Sequence, residues 1–442
     1  MLKFGGDKIA LLGLFVAALL LARLIVISRS SIILSEPVEL THGGLSVSMP
    51  AGNGWKSSEQ WRYMDSGFTL SSSLAGSSGS PVAWAHCRYL LAAEPKSPAE
   101  RFESKAAEIE GRIVKVGRAE AGEITIDWAQ MEKAKTLFSM FFGTGRLPDN
   151  RQFEIEVTEI AGERAMAERV FKKIVESISF RDEGLLETGA EVVSGVQSKG
   201  LGSFFENRNQ QEYFLIKDVG RRPVGFSVEI LVDSGAPGGV NIRGASLLYM
   251  TKGRARSYEH ATFFESDDSF TEYVWHSETV NGRSMSRADI TARDGRMTVS
   301  KSVEQRRERN YQLSAAAIPA ILLKQVLVEM LDCDRQELVV DIVESGGRVS
   351  AVYISLLESD ESGWTGEKEA EHVFQVELLN GRGGFERIYV DGQGWILGRL
   401  SRMDDGFIFE RSDAESLARR FPAHSEYLLK GDRAVEWGEP EN

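Results

Sequence analysis

Residues 269–303 have the sequence SFTEYVWHSETVNGRSMSRADITARDGRMTVSKSV, and this stretch decides the fold of the second half of the chain. It holds three short runs rich in β-branched and aromatic residues, a composition typical of strands. The runs are separated by Asn281-Gly282 and Asp294-Gly295, which are dipeptides typical of tight hairpin turns. The stretch therefore predicts three consecutive antiparallel strands.

Runs of the same kind continue on both sides of it, so we predict an antiparallel meander over residues 195–431. Residues 314–332, SAAAIPAILLKQVLVEMLD, interrupt the meander. We expect them to form one helix that is apolar nearly all round and therefore buried, with Pro319 in its first turn. A long meander on one apolar helix is the layout of an open half-barrel.

The first half of the chain, residues 36–181, alternates predicted strands with two helices and indicates an α+β sandwich. One helix begins at Ser97, where Glu100 completes a capping box. In residues 152–159, apolar residues alternate with Glu154 and Glu156. This alternation predicts a sheet with one solvent-facing side.

Both halves resemble known families. GLSVSMPAGNGW (44–55), a helix starting SPAE (97–100) and QFEIEVTEIAGERAMAERVFKKIVESISF (152–180) resemble the PsbP/Mog-like domains. GFERIYVDGQGWILGRLSRMDDGFIFE (384–410), with the meander before it, resembles the LolA/LolB-like half-barrels. The first resemblance implies a non-enzymatic accessory or assembly module. The second implies an apolar ligand held between sheet and helix, or an assembly role.

The N-terminus contains an apolar run. Ile9–Ala22 is uncharged, and the run continues past Arg23 to Ile27, with Lys3 and Lys8 before it. We predict an uncleaved transmembrane anchor over residues 9–27, with a cytoplasmic N-terminus at residues 1–8. A cleaved signal peptide is the alternative. This predicts a single-pass inner-membrane protein with its bulk in the periplasm, or a secreted or periplasmic protein after cleavage.

The remaining boundaries follow from composition. We predict a linker at residues 28–35, a second polar, glycine-bearing linker at residues 182–194 and a disordered tail at residues 432–442. The full prediction is an α+β protein with an N-terminal transmembrane helix, a PsbP-like domain and a half-barrel domain.

Charge and motifs exclude several functions. A formal net charge of -13 argues against nucleic acid as a partner, because such binding needs a basic surface. Two cysteines, Cys87 and Cys333, form no zinc motif, and we expect free thiols. No nucleophile, phosphate-loop or dinucleotide motif is present, so we predict no enzyme, no cofactor and no metal. His260 and His276, on neighbouring predicted strands, are the weak alternative for a metal or acid/base site.

Two functions remain open, and a cryptic hydrolase is a third alternative. The first is an accessory or assembly module that binds another envelope component. The second is a carrier or sensor of a lipid or other apolar ligand, with a cavity lined by Ile318, Leu322, Val326 and Met330. The alternative for these four residues is a role in the hydrophobic core alone.

Overall fold

The strands of the first half form three antiparallel sheets. The computed structural model describes Phe15 and residues 32–430, except residues 65, 77–78, 135, 148–150, 161, 163, 182, 201–210, 234–238, 251–252, 267–268, 282–283, 304, 358–369, 380–383 and 403–405. The strands are β1 (Ile33–Leu34), β2 (Val38–Glu39), β3 (Leu45–Val47), β4 (Pro50–Ala51), β5 (Trp55–Ser57), β6 (Arg62–Met64), β7 (Gly67–Ala75), β8 (Pro81–Leu90), β9 (Gly111–Ala121), β10 (Ile124–Lys133), β11 (Ser139–Arg146), β12 (Gln152–Glu159) and β13 (Ser179–Phe180). The main sheet has eight strands in the order β5-β7-β8-β12-β11-β10-β9, with β6 paired to β7.

Two helices, α1 (Pro98–Glu108) and α2 (Arg164–Ser177), cover opposite faces of this sheet. Phe102 of α1 lies 6.1 Å from Phe142, whereas Phe171 of α2 lies 5.7 Å from Phe141, measured between ring centroids. Adjacent residues of a strand point to opposite faces, so the helices lie on opposite sides. The capping box of Ser97 and Glu100 is present at the start of α1.

The prediction of a solvent-facing side at Glu154 and Glu156 is therefore wrong. Both carboxylates are 8% exposed, because α1 lies over them. Arg101 and Lys105 of α1 reach them, with N···O distances of 3.3 and 2.9 Å respectively. The alternation correctly separates the two faces of the strand. It does not show whether a helix covers the polar face and neutralises its charges.

The described strands of the second half form one sheet of 15 strands. They are β14 (Gln211–Asp218), β15 (Pro223–Asp233), β16 (Gly239–Met250), β17 (Gly253–Ser266), β18 (Ser269–Asn281), β19 (Ser284–Arg293), β20 (Arg296–Val303), β21 (Gln305–Gln312), β22 (Ala317–Pro319), β23 (Glu337–Val343), β24 (Val349–Leu357), β25 (His372–Leu378), β26 (Phe385–Val390), β27 (Ile396–Ser401) and β28 (Phe407–Ser412). Their order, β21 down to β14 and then β28 down to β22, joins two meanders through the pair β14–β28. Only β22 and β23 pair in parallel in the described part of this sheet.

Residues 269–303 form the predicted antiparallel strands. β18, β19 and β20 pair antiparallel in sequence. Asp294 and Gly295 have φ of 51° and 69°, the left-handed geometry that a tight hairpin turn requires.

The sheet curls around two helices, α3 (Leu185–Ser198) and α4 (Leu323–Asp332). α3 contacts β18 as well as β22 and β23, which lie near opposite ends of the strand order. The Ser277 hydroxyl of β18 donates to the Ser345 carbonyl beyond β23 at 2.5 Å. These contacts give the sheet its barrel-like curvature. Two short helices, α5 (Ala414–Arg420) and α6 (Ser425–Lys430), pack on its outer face.

The structure corrects two predictions, that of a second linker and that of a single apolar helix. Helix α3 occupies most of residues 182–194, and it buries Val192, Val193 and Val196. Residues 314–332 form β22, a 3-10 turn (Ala320–Leu322) and then α4, so the helix is shorter than predicted. Pro319 ends β22 with extended backbone, because proline cannot supply the amide that a helix interior needs.

The two halves share a buried contact. Arg151, in the first half, lies 2.6 Å from Asp341 of β23, and both side chains are at most 2% exposed. Arg151 also donates to the Tyr89 hydroxyl at 2.8 Å, and Ser314 donates to Asp341 at 2.6 Å. Burial opposes the charge on Arg151, but Asp341 and Tyr89 outweigh it and raise its pKa.

The α+β prediction with a transmembrane helix is corrected to a mostly β fold, with 57% strand and 20% helix among the described residues. Within the described residues, no helix is both long and apolar enough to cross a membrane. The anchor prediction and the inner-membrane localisation that depended on it therefore have no support. Residues 9–27, apart from Phe15, lie outside the described residues, as do residues 432–442.

Candidate binding cavity

A cavity of about 530 Å³ lies on the concave face of the large sheet. Its walls come from β14–β18, from β26–β28 and from residues 320–324 just before and at the start of α4. This volume falls in the range of small-molecule sites, roughly 300–1,000 Å³. The curl of the sheet creates the space, since a flat sheet would leave the same side chains on an open surface.

One end of the cavity is a row of carboxylates that crosses four neighbouring strands. Glu212 of β14 pairs directly with Glu229 of β15. Glu229 pairs with Gly244 of β16, and Gly244 pairs with Glu259 of β17. Like charges directly opposite each other on a sheet are destabilising, so this row costs folding free energy.

Gly244 lies between Glu229 and Glu259 in this row and leaves the space between them free of a side chain. A Cβ at position 244 would lie 2.8 Å from the Glu259 side chain, so Glu259 lies over the glycine. Glu229 and Glu259 are separated by two strand spacings, or about 10 Å between backbones. Because the glycine has no side chain between them, both carboxylates face the same part of the cavity.

Two cations stand beside the row. Lys324 forms an ion pair with Glu212 and lies 4.5 Å from the centroid of the Trp395 ring. Arg399 lies over Phe214 and Phe409, at 5.3 and 5.0 Å from their ring centroids. Within the described part of the chain, no hydrogen bond or ion pair engages the Glu229 carboxylate.

Burial and charge shift the pKa values of the row. Burial first, and then the neighbouring Glu212, raises the pKa of Glu229 to about 7. Burial also raises the pKa of Glu259, which the Trp275 side chain and Arg399 partly offset. Glu229 keeps an intermediate surface exposure although it lies deep in the fold. That remaining surface faces the cavity, because Glu229 is one of its lining residues.

The cavity wall around Arg399, formed by β14 and β26–β28, is otherwise largely apolar. Ile216 pairs with Phe409 across β14 and β28, and Arg399 pairs with Ile388 across β27 and β26. Ile216, Phe409 and Ile388 line the wall, with Leu248 of β16. The cavity thus offers a row of carboxylates and a largely apolar wall to one ligand.

The structure places the four predicted wall residues next to this cavity but not in its wall. Ile318, Leu322, Val326 and Met330 are at most 1% exposed and belong to the main hydrophobic core. The wall is formed instead by their chain neighbours Ala320, Ile321, Leu323 and Lys324. Ligand contact by the four predicted residues stays a prediction.

The two histidines lie opposite each other on neighbouring strands, as predicted. His260 and His276 are cross-strand partners on β17 and β18. His260 contacts Asn241 at 3.2 Å, and His276 contacts Asp289 at 2.7 Å. Burial, with Arg243 and His276, lowers the pKa of His260. Among the described residues, no group of three or more His, Cys, Asp or Glu side chains could hold a metal.

Both cysteines are free thiols, with Cys87 buried and Cys333 exposed. Burial raises the pKa of the Cys87 thiol. Cys87 therefore stays protonated and unreactive at neutral pH.

Sequence reasoning missed the carboxylate row for a physical reason. In β15, Phe226, Val228 and Ile230 alternate with Glu229, which predicts that Glu229 faces solvent. These apolar residues instead pack outward against α5 and α6. The sequence signal for the carboxylate row is a glutamate on a strand face that the alternation assigns to solvent. This signal is not specific for a binding site.

Comparisons with known proteins add little. No family model matches the chain, and no curated protein matches it. The chain is structurally similar, with a TM-score of 0.33 and 12% identity, to a beta-barrel-like protein of the domain of unknown function DUF1849 from Brucella abortus. This match covers 46% of the chain and 95% of the other protein. Neither the PsbP/Mog-like nor the LolA/LolB-like resemblance finds support in these comparisons.

Proposed function

We propose that this protein binds a small amphipathic molecule in the cavity of the large sheet. One observation carries the proposal: a cavity of about 530 Å³ has a row of carboxylates in one part of its wall and a largely apolar surface in another. Concave, partly apolar sites with a few convergent polar groups are the usual form of small-molecule sites. The protein would then act as a carrier or sensor of its ligand, without catalysis.

A cavity-filling substitution tests this function. Ser246 lines the cavity and its hydroxyl lies 2.6 Å from that of Ser257. We expect Ser246→Phe to fill the cavity and to weaken binding of the neutral fluorescent probe N-phenylnaphthylamine by roughly tenfold or more, measured by fluorescence titration.

The matched control is Ser286→Phe, which places the same ring at an exposed position of β19. It should leave probe binding unchanged. Equal binding by both variants, or no saturable binding by the unmodified protein, would contradict the proposed function.

A second function, that of an accessory module for another protein, is favoured by strand β9. It lies at one end of the eight-stranded sheet, and Val114 and Val116 are 48% and 60% exposed. An exposed edge strand can add a strand from a partner through backbone hydrogen bonds.

A photo-crosslinking residue at position 116 tests the accessory function. We expect one protein to crosslink in stoichiometric amount, and Val114→Lys in the same chain to abolish the crosslink. A crosslinker at Glu278, on another sheet, serves as the control. Similar crosslinked products from both positions would remove this second candidate.

A further inference from the structure

The carboxylate row deepens the proposed function, because it distinguishes between ligand classes. Of the charged residues that line the cavity, Glu212, Glu229, Glu259 and Glu344 are acidic and Lys324 and Arg399 are basic. Glu344 is paired with Arg348, at 2.5 Å, outside the carboxylate row. The acids outnumber the bases, so the polar end has an excess of negative charge.

The partners of these groups decide which charge is left unsatisfied. Lys324 forms an ion pair with Glu212. Arg399 lies over two phenylalanine rings and 3.9 Å from Glu386, and its buried Nε has no hydrogen-bond partner among the described residues. The positive charges of Lys324 and Arg399 also act on Glu229 and lower its pKa, but less than burial raises it. The Glu229 carboxylate, by contrast, faces the cavity with no ion-pair or hydrogen-bond partner among the described residues. A buried carboxylate without a partner is costly, and a bound cation would remove that cost.

The cavity favours an organic cation over a metal ion. In the described part of the chain no cluster of side chains is arranged for metal binding. The aromatic residues Phe214 and Trp275 also line the cavity, and Arg399 already lies over the Phe214 ring. The volume and the apolar wall leave room for a hydrocarbon portion attached to the charged group.

We propose that the ligand of this cavity is an amphipathic amine, whose protonated nitrogen is bound by Glu229 and Glu259 while its apolar part contacts Ile216, Ile388 and Phe409. This inference rests on the proposed function, since it requires that the cavity binds a ligand. The ammonium group donates hydrogen bonds to both carboxylates across Gly244. The row is then balanced, because the added positive charge offsets the acidic excess.

Calorimetric titration of the full chain with three ligands of equal chain length tests the proposal. The ligands are decylamine, decanol and decanoate, each below its aggregation concentration. We expect decylamine to bind more tightly than decanol by roughly tenfold or more, as is typical of a hydrogen-bonded charge pair. Decanoate, which would require Arg399 as its anchor, should bind most weakly.

Glu229→Gln should reduce the preference for decylamine over decanol to less than about threefold, and Glu259→Gln should reduce it in the same direction. The matched control is Glu278→Gln on the outer face of β18, where the carboxylate pairs with Arg287 at 2.8 Å. It should leave the preference unchanged.

The pH dependence provides a second measurement that needs no variant. The pKa of Glu229 is about 7, so its negative fraction grows as the pH rises through that value. Alkylamines stay protonated there, because their pKa lies near 10 like that of lysine. Decylamine affinity should therefore rise between about pH 6 and pH 8, with proton release visible as a buffer-dependent heat. Decanol affinity should not rise.

The outcomes separate the two proposals. Tighter binding of decanoate, equal binding of amine and alcohol, or an unchanged amine preference in Glu229→Gln would overturn the amine proposal. In each of these cases the proposed function stands if Ser246→Phe still abolishes decanol binding. If none of the three ligands binds, both proposals fail.

Discussion

At the scale of single residues, the Glu229 carboxylate opposes folding. Its carboxylate is opposite Glu212 and close to Glu259, and burial raises its pKa to about 7. Groups held in an unfavourable state by the fold are concentrated at functional sites. The folding free energy that Glu229 costs therefore favours a role in ligand binding over a role in stability.

Replacing Glu229 by glutamine should stabilise the unliganded protein at high pH. The usual pKa of 4.5 is raised to about 7 in the folded state, so stability falls as the pH rises from about 4.5 through 7. Glu229→Gln removes this loss, on the order of 2–3 kcal/mol after allowance for partial exposure. Chemical unfolding at about pH 8 should show the gain, and unfolding at about pH 5 should show little of it. A gain of equal size at both pH values would contradict this origin.

At the scale of elements, helix α3 depends on its glycines. A Cβ at Gly189 would lie 1.9 Å from the Val339 carbonyl oxygen of β23, so the helix touches the backbone of the sheet there. At Gly195 the nearest atom is the carboxylate oxygen of Glu329, at 2.4 Å. A flexible side chain can move aside, whereas a strand backbone cannot. The glycines that suggested a linker are thus the residues that allow close packing.

Alanine substitutions should separate these two positions. Gly189→Ala should destabilise the protein by about 1–3 kcal/mol or more, because it forces the helix away from the sheet. Gly195→Ala, the same change in the same helix, should be within about 1 kcal/mol of neutral, since helix propensity favours alanine. Denaturant midpoints measure both. Equal losses at the two positions would show that close approach to β23 is not the cause.

At the scale of the whole molecule, the pair Arg151–Asp341 ties the two halves together. Both side chains are buried, and Tyr89 and Ser314 complete their hydrogen bonding. Removing one member of a buried pair leaves the other charge uncompensated.

Asp341→Ala should therefore cost about 3–5 kcal/mol in the free energy of unfolding. The control is Asp127→Ala in the exposed pair with Arg118, 2.9 Å apart, which should cost about 1 kcal/mol or less. The double substitution Arg151→Met with Asp341→Leu should recover part of the loss. Calorimetry measures all three, and a loss at Asp341 no larger than that at Asp127 would show that the buried pair does not stabilise the contact.

The sequence by itself determined the local structure of this protein. Alternation and hairpin dipeptides such as Asp294-Gly295 predicted the strand order of β18–β20, and the capping box at Ser97 predicted the start of α1. These features depend on backbone preferences and on neighbours close in the chain. The apolar character of Ile318, Leu322, Val326 and Met330 likewise predicted burial.

Only the tertiary structure decided which face of each strand became the inside. Helices α5 and α6 cover the apolar side of β14–β16, so Glu212 and Glu229 turn toward the cavity. The ion pair between Lys324 and Glu212 joins residues that are 112 positions apart in the chain. Side chains that alternate along a strand identify its two faces. Long-range packing alone decides which face is buried, and it therefore decides where the candidate site lies.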